Sequence, residues 1–104
     1  MRKLMTGKQA ILETLKEQNV EYIFGNPGPS EGPLIDMLGD YPNFKYIMAL
    51  QESVAMGMGE SYARSTNSTG FVSLHVDSGL ANGIALMLDA LNTGTPLVVT
   101  SANY

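Results

Sequence analysis

Apolar positions recur along this chain in two alternating rhythms, one helical and one strand-like. From Thr6 the spacing is helical: Ala10, Ile11, Leu12 and Leu15 share one face, and "TGKQ" at 6–9 has the Thr-x-x-Gln form of a capping box. That predicts a first helix ending near Gln18-Asn19. The short apolar run "VEYIFG", 20–25, predicts a strand. "NPGPSEGP" follows as a loop dense in Pro and Gly, with Ser30 as the expected N-cap of a helix over Leu34–Leu38. "FKYIMAL" predicts the second strand, Glu52 to Arg64 the next helix, and "STNSTG" a turn. "FVSLHV" is the third strand, "SGLANGIALMLDALN" the fourth helix, and "PLVVTS" the fourth strand.

The predicted order is α, then β-α three times, then β. Strands that are continuously apolar and separated by helices indicate a parallel sheet covered on both faces, an α/β fold in three layers, α/β/α. In open sheets of this kind the ligand crevice lies beyond the carboxyl ends of the strands. "GNPGPSEG", "QES", "HVDSG" and "SANY" fall there, so the Pro/Gly loop, the acid Glu52 and the only histidine, His75, are expected to converge on one edge.

Composition narrows the function classes. The chain has 104 residues, 44% of them apolar, which fits a single domain with a real core. A net charge of −4 supplies no basic field for nucleic acid or an anionic membrane, and no apolar run approaches a membrane span. The N-terminal stretch carries Glu13 and lacks a continuous apolar segment, so it does not read as a targeting peptide. With no cysteine there are no disulfides or thiolate metal sites, and the chain reads as cytoplasmic. Charge is unevenly spread: Arg2, Lys3, Lys8 and Lys16 cluster near the first helix, whereas Asp77 and Asp89 are the only formal charges from Ser65 to Tyr104. That half is either central to the domain or covered by other protein.

Each candidate residue has a plainer reading beside the chemical one. Glu52 at a helix start is favoured by the helix dipole whether or not it does chemistry. His75 could be a satisfied histidine at a strand end. "GNPG" matches neither phosphate-binding fingerprint, and the glycines of "MGMGE" can serve close helix packing, ligand approach, or both.

Three stretches, "VEYIFGNPGPSEGPLIDML", "YIMALQESVAMGMGESYAR" and "FVSLHVDSGLANGIALMLDALNTGTPLVVTS", resemble in order and spacing the N-terminal pyrimidine-binding domain of thiamine-diphosphate-dependent enzymes. The similarity runs from about Thr6 to Ala102, and the branch it resembles is the benzoylformate decarboxylase and acetolactate synthase group. It rests on Phe24-Gly25-Asn26-Pro27-Gly28, on Glu52 followed by Gly57 and Tyr62-Ala63-Arg64, and on Ser78-Gly79 with Asn82.

The resemblance implies roles. Glu52 becomes the acid that shares a proton with N1′ of the aminopyrimidine, so that the exocyclic nitrogen of thiamine diphosphate can take the proton from thiazolium C2. Asn26, Pro27, Gly28, Gly79 and Asn82 join Glu52 in binding the cofactor. His75 aligns with a catalytic histidine that moves protons on substrate-derived groups, and His75 and Ser30 are the expected contacts to a small 2-oxo acid. Where the benzoylformate branch places a serine after Asn-Pro-Gly, this chain has Pro29.

Residues 1–104 are thus expected to form a partial pyrimidine domain, truncated after about four strands, with the middle and diphosphate-binding domains elsewhere. No Gly-Asp-Gly magnesium motif is present, since Gly39-Asp40 is followed by Tyr41. No metal ligand is therefore assigned here, and Mg2+ is expected on the diphosphate domain. The implied function is 2-oxo acid decarboxylation by a homo-oligomer, dimer or tetramer, with the chain alone inactive. An acetolactate synthase-like carboligase and a non-catalytic assembly module are the alternatives. The fourth helix is apolar nearly all round, so an exposed apolar patch is expected over it and over the Glu52 helix.

Overall fold

The computed structural model describes residues 3–103. Arg2 and Tyr104, both used in the sequence reading, lie outside the described residues. Helix α1, Gly7–Glu17, opens with the expected capping box: the Gln9 amide N–H donates to Thr6 Oγ1 at 3.3 Å and the Thr6 N–H to Gln9 Oε1 at 2.9 Å. Strand β1 is Tyr22–Gly25. It starts two residues later than its apolar run, because the Val20 N–H is spent on the Leu15 carbonyl at 2.9 Å, closing the end of α1 through Asn19 at φ 59°.

The Pro/Gly loop departs from expectation. Ser30 does not cap a helix; it lies inside a 3-10 turn, Pro29–Glu31, which runs into the short helix α2, Gly32–Met37, and a second turn, Leu38–Asp40. Strand β2 is Lys45–Met48, helix α3 Glu52–Thr66, strand β3 Gly70–Leu74, helix α4 Ser78–Thr93 and strand β4 Leu97–Ser101.

All four strands are parallel, in the order β2-β1-β3-β4. Alternate residues of the central strands feed two separate cores. Ile23 and Phe71 point to one face, where they meet Leu12, Phe44 and the apolar side of α2. Phe24, Val72 and Leu74 point to the other, where Ala55 and Met56 of α3 and Leu86 and Met87 of α4 cover them. Helices on both faces explain why all of β3 is buried. At Gly59 the backbone of α3 sits so close to β3 that a Cβ would collide with Val72, so this glycine of "MGMGE" serves packing.

Helix α4 turns Gly79, Gly83 and Ala90 inward and leaves Leu80, Ile84, Leu88 and Leu91 exposed, Leu91 by 75%. The expected apolar stripe therefore lies on α4. On α3 only Val54 among the large apolar residues is exposed. No helix among the described residues is long and apolar enough to cross a membrane.

Candidate functional site at the carboxyl edge of the sheet

The loops leaving β1, β2 and β3 meet at one edge. Glu52 is the first residue of α3, directly after the β2 loop, and is only 8% exposed. Its carboxylate does not cap its own helix. That task falls to Gln51, whose side-chain oxygen accepts from the Ser53 N–H at 2.7 Å and the Val54 N–H at 3.4 Å. Glu52 reaches across the edge: Oε1 accepts from Asn26 Nδ2 at 3.2 Å and Oε2 from Asn82 Nδ2 at 3.4 Å. The acid is thus met by one carboxamide from the loop after β1 and one from the first turns of α4, and among the described residues no cation pairs with it.

Two glycines form the adjoining wall. A Cβ on Gly79 would lie 2.8 Å from His75 Cβ and 3.2 Å from Glu52 Oε1, and one on Gly28 would lie 2.6 Å from His75 Cε1. Any larger residue at either place would push into the acid or the imidazole. Pro27 stands exposed between Asn26 and Gly28.

His75 follows β3 and is 26% exposed in its side chain. Its Nδ1 lies 2.9 Å from Ser30 Oγ and 3.2 Å from Glu31 Oε2. The turn from His75 into α4 passes through Asp77 at φ 57°, ψ −101°, a conformation that costs a non-glycine residue roughly 1–3 kcal/mol. Strain of that kind persists where the surroundings fix it, here a turn that sets His75 and Gly79 against Glu52.

Glu31 escaped the sequence reading. It is 5% exposed, accepts the Gly28 N–H at 2.7 Å and the Ser30 hydroxyl at 2.8 Å, and faces His75. A signal was there: Gly28 and Glu31 have the three-residue spacing that joined Thr6 to Gln9, by which a side chain returns to an upstream N–H. Nearby, the Tyr46 hydroxyl is buried with no hydrogen-bond partner; burial first, then the charge of Glu31, pushes it up to about 12. A cleft of about 330 Å³ borders Ser30 and Glu31 and extends to Thr100 and Ser101. Among the described residues no group of three or more acidic or histidine side chains could hold a metal ion.

All the sequence-derived candidates lie at this edge: Glu52 with Asn26, Asn82 and Gly79, and His75 with Ser30 and Gly28. Residues 5–104 match the family model described as "Thiamine pyrophosphate enzyme, N-terminal TPP binding domain". Among curated proteins, benzoylformate decarboxylase of Pseudomonas aeruginosa is 34% identical over 94% of this chain and 18% of its own length. The acetolactate synthase large subunit of Lactococcus lactis is 35% identical over 95% of this chain and 17% of its own. Among solved structures, the thiamine diphosphate-dependent 4-hydroxybenzoylformate decarboxylase of Rhodococcus jostii superposes with a TM-score of 0.89 at 29% identity, over 95% of this chain and 18% of that one. The chain spans less than a fifth of the length of these relatives.

Proposed function

The chain belongs to the thiamine pyrophosphate enzymes through their N-terminal TPP binding domain, and from that premise we propose that it serves a 2-oxo acid decarboxylase of the benzoylformate type, binding the cofactor's aminopyrimidine and activating it through Glu52. The observation that carries this reading is the Glu52 carboxylate: buried, at the carboxyl edge of the sheet, and met by carboxamides and not by a cation. An acid neutralised by arginine holds no proton at neutral pH, whereas one among neutral donors can share a proton with a ring nitrogen. The two glycines support this reading, because a side chain at Gly79 would push into the acid and the His75 Cβ, and one at Gly28 into the imidazole ring.

Thiamine diphosphate, when bound, supplies a thiazolium carbon that adds to the substrate carbonyl and takes up the electrons left by departing carbon dioxide. The work of this chain lies around it. Glu52 holds the proton at N1′, Asn26 and Asn82 orient the carboxylate, and Pro27, Gly28 and Gly79 shape the wall. His75 moves protons on substrate-derived groups, and Ser30 lies on the substrate side with it. Mg2+ belongs to the diphosphate-binding domain of the complete enzyme, and the exposed stripe of α4 supports assembly as a homo-oligomer. Carboligation of the acetolactate type is a second reading. Pro29 favours it, standing where a hydroxyl would contact an aromatic 2-oxo acid, as does the Lactococcus relative.

The test is Glu52→Gln in the complete enzyme, read as exchange of the cofactor's C2 proton. Glutamine keeps the hydrogen bond and cannot readily supply the proton, so exchange should fall by roughly 10²–10⁴-fold. An unchanged rate would return Glu52 to a helix-end role and the chain to an assembly module. Product analysis, aldehyde against coupled hydroxy acid, separates the two reactions.

A further inference from the structure

Four short contacts around His75 admit one consistent placement of hydrogens. Ser30 Oγ lies 2.9 Å from His75 Nδ1 and 2.8 Å from Glu31 Oε1; Glu31 Oε2 lies 3.2 Å from the same Nδ1 and accepts the Gly28 N–H at 2.7 Å. A serine has one hydrogen to give, and an ionised carboxylate only accepts. If Ser30 donated to His75, Nδ1 would be bare and would face Glu31 Oε2 lone pair to lone pair. Ser30 Oγ and Glu31 Oε1 would then oppose each other in the same way. If Ser30 donates to Glu31, Nδ1 carries a hydrogen shared between Ser30 Oγ and Glu31 Oε2, and every contact contains one proton. Protonating Glu31 does not rescue a bare Nδ1: a proton on Oε1 leaves Oε2 opposing Nδ1, and one on Oε2 leaves Ser30 Oγ opposing either Glu31 Oε1 or Nδ1.

We infer that Glu31, with Ser30, is a positioning residue that holds His75 as the Nδ1–H tautomer and thereby makes Nε2 the atom through which His75 takes up and releases protons. None of the contacts above uses Nε2, and the ring is partly open to the crevice. Burial of Glu31 strengthens its hold, since a carboxylate shielded from water is a stronger acceptor than an exposed one. The catalytic use of this tautomer rests on the role proposed above for His75; the tautomer itself does not.

The chain contains a single histidine, so 15N-histidine labelling reads this ring alone. The neutral form of the wild-type chain should show a protonated, pyrrole-type Nδ1 and a bare, pyridine-type Nε2. The reverse pattern, which free imidazole side chains favour, overturns the proposal without need of any variant. Ser30→Ala should keep the Nδ1–H form, whereas Glu31→Gln, a weaker acceptor of similar shape, should reduce it from nearly the whole population to a minority. Loss of the tautomer in Ser30→Ala, or its full retention in a folded Glu31→Gln, would remove Glu31 from the role. If Glu31→Gln does not fold, the wild-type and Ser30→Ala spectra decide. Because no cofactor enters this measurement, its failure is distinct from failure of the C2-exchange test.

Discussion

Helix α3 carries two buried glutamates eight residues apart, Glu52 at 8% exposure and Glu60 at 5%, and their surroundings differ in kind. Glu60 is taken up by its own protein: its Oε1 pairs with the Arg64 guanidinium one turn on and accepts the Thr93 hydroxyl at 3.0 Å and the Thr95 hydroxyl at 3.4 Å. Burial works to raise its carboxyl, but hydrogen bonds from Arg64, Asp89 and Thr93 outweigh it and hold the group below its ordinary range. Glu52 has neutral carboxamides, glycine walls and an imidazole nearby. Burial alone therefore does not mark a reactive acid. What separates the two is whether a cation and hydroxyl donors meet the charge, or neutral carboxamides with glycines beside them.

The same substitution at both positions is the strongest way to break this contrast. Glu52→Gln carries the 10²–10⁴-fold loss of C2 exchange expected above, and Glu60→Gln should leave exchange within a few-fold of wild type. Equal losses would show that any acid on this helix matters only for its shape.

Gly79→Ala comes next in size. The added methyl must displace His75 or Glu52 Oε1, an overpacking cost of about 1–3 kcal/mol that thermal unfolding would report. A variant as stable as wild type would mean that the glycine wall yields freely.

Glu60→Gln should lower the unfolding midpoint by several degrees near neutral pH. Because the folded value of Glu60 is depressed, its stabilisation is present above the ordinary 4.5 and is lost as pH falls through the folded value. The gap between variant and wild type should therefore close in acid.

Asp89 supplies the smallest effect and the opposite sign. Its carboxyl is raised, first by the hydrogen bond it shares with Glu60 and then by that group's charge. Its favourable contribution is complete below the ordinary 3.8 and lost as pH rises through the folded value. Asp89→Asn should then raise the midpoint at neutral pH by a few degrees at most, with no gain below pH 3.8. A midpoint unchanged or lowered at neutral pH would show that the Asp89 charge costs the fold nothing beside Glu60.

Much of this was legible in the pattern of residues. The helices α1, α3 and α4 begin where capping and periodicity put them, and the parallel sheet follows from apolar runs separated by helices. Strand ends were less legible, because Val20 and Leu50 are apolar yet lie outside the ladder: one closes a helix, the other is exposed. Glu52, His75 and the Asn-Pro-Gly loop could be assigned to one edge because topology alone sends strand ends there. Glu31 lies in that loop too, but its role was not legible, since an acid in a polar loop looks solvated and its contact with His75 forms only across 44 residues. The contrast between Glu52 and Glu60 was equally hidden, because Thr93 and Thr95 reach Glu60 from the far end of α4.

The spacing of these partners along the chain has a kinetic consequence. The capping box of α1 joins residues three apart, whereas the bonds that hold Glu52 and His75 span 26, 30 and 45 residues. Closing such loops costs entropy before any contact repays it, about 0.6 kcal/mol more for each doubling of length. Helices can therefore appear early, while this edge exists only once β3 has docked between β1 and β4. A molecule held between Asn26, Glu52 and Asn82 would bind the finished domain and not its precursors, so it would draw the whole folding equilibrium toward the native state by mass action.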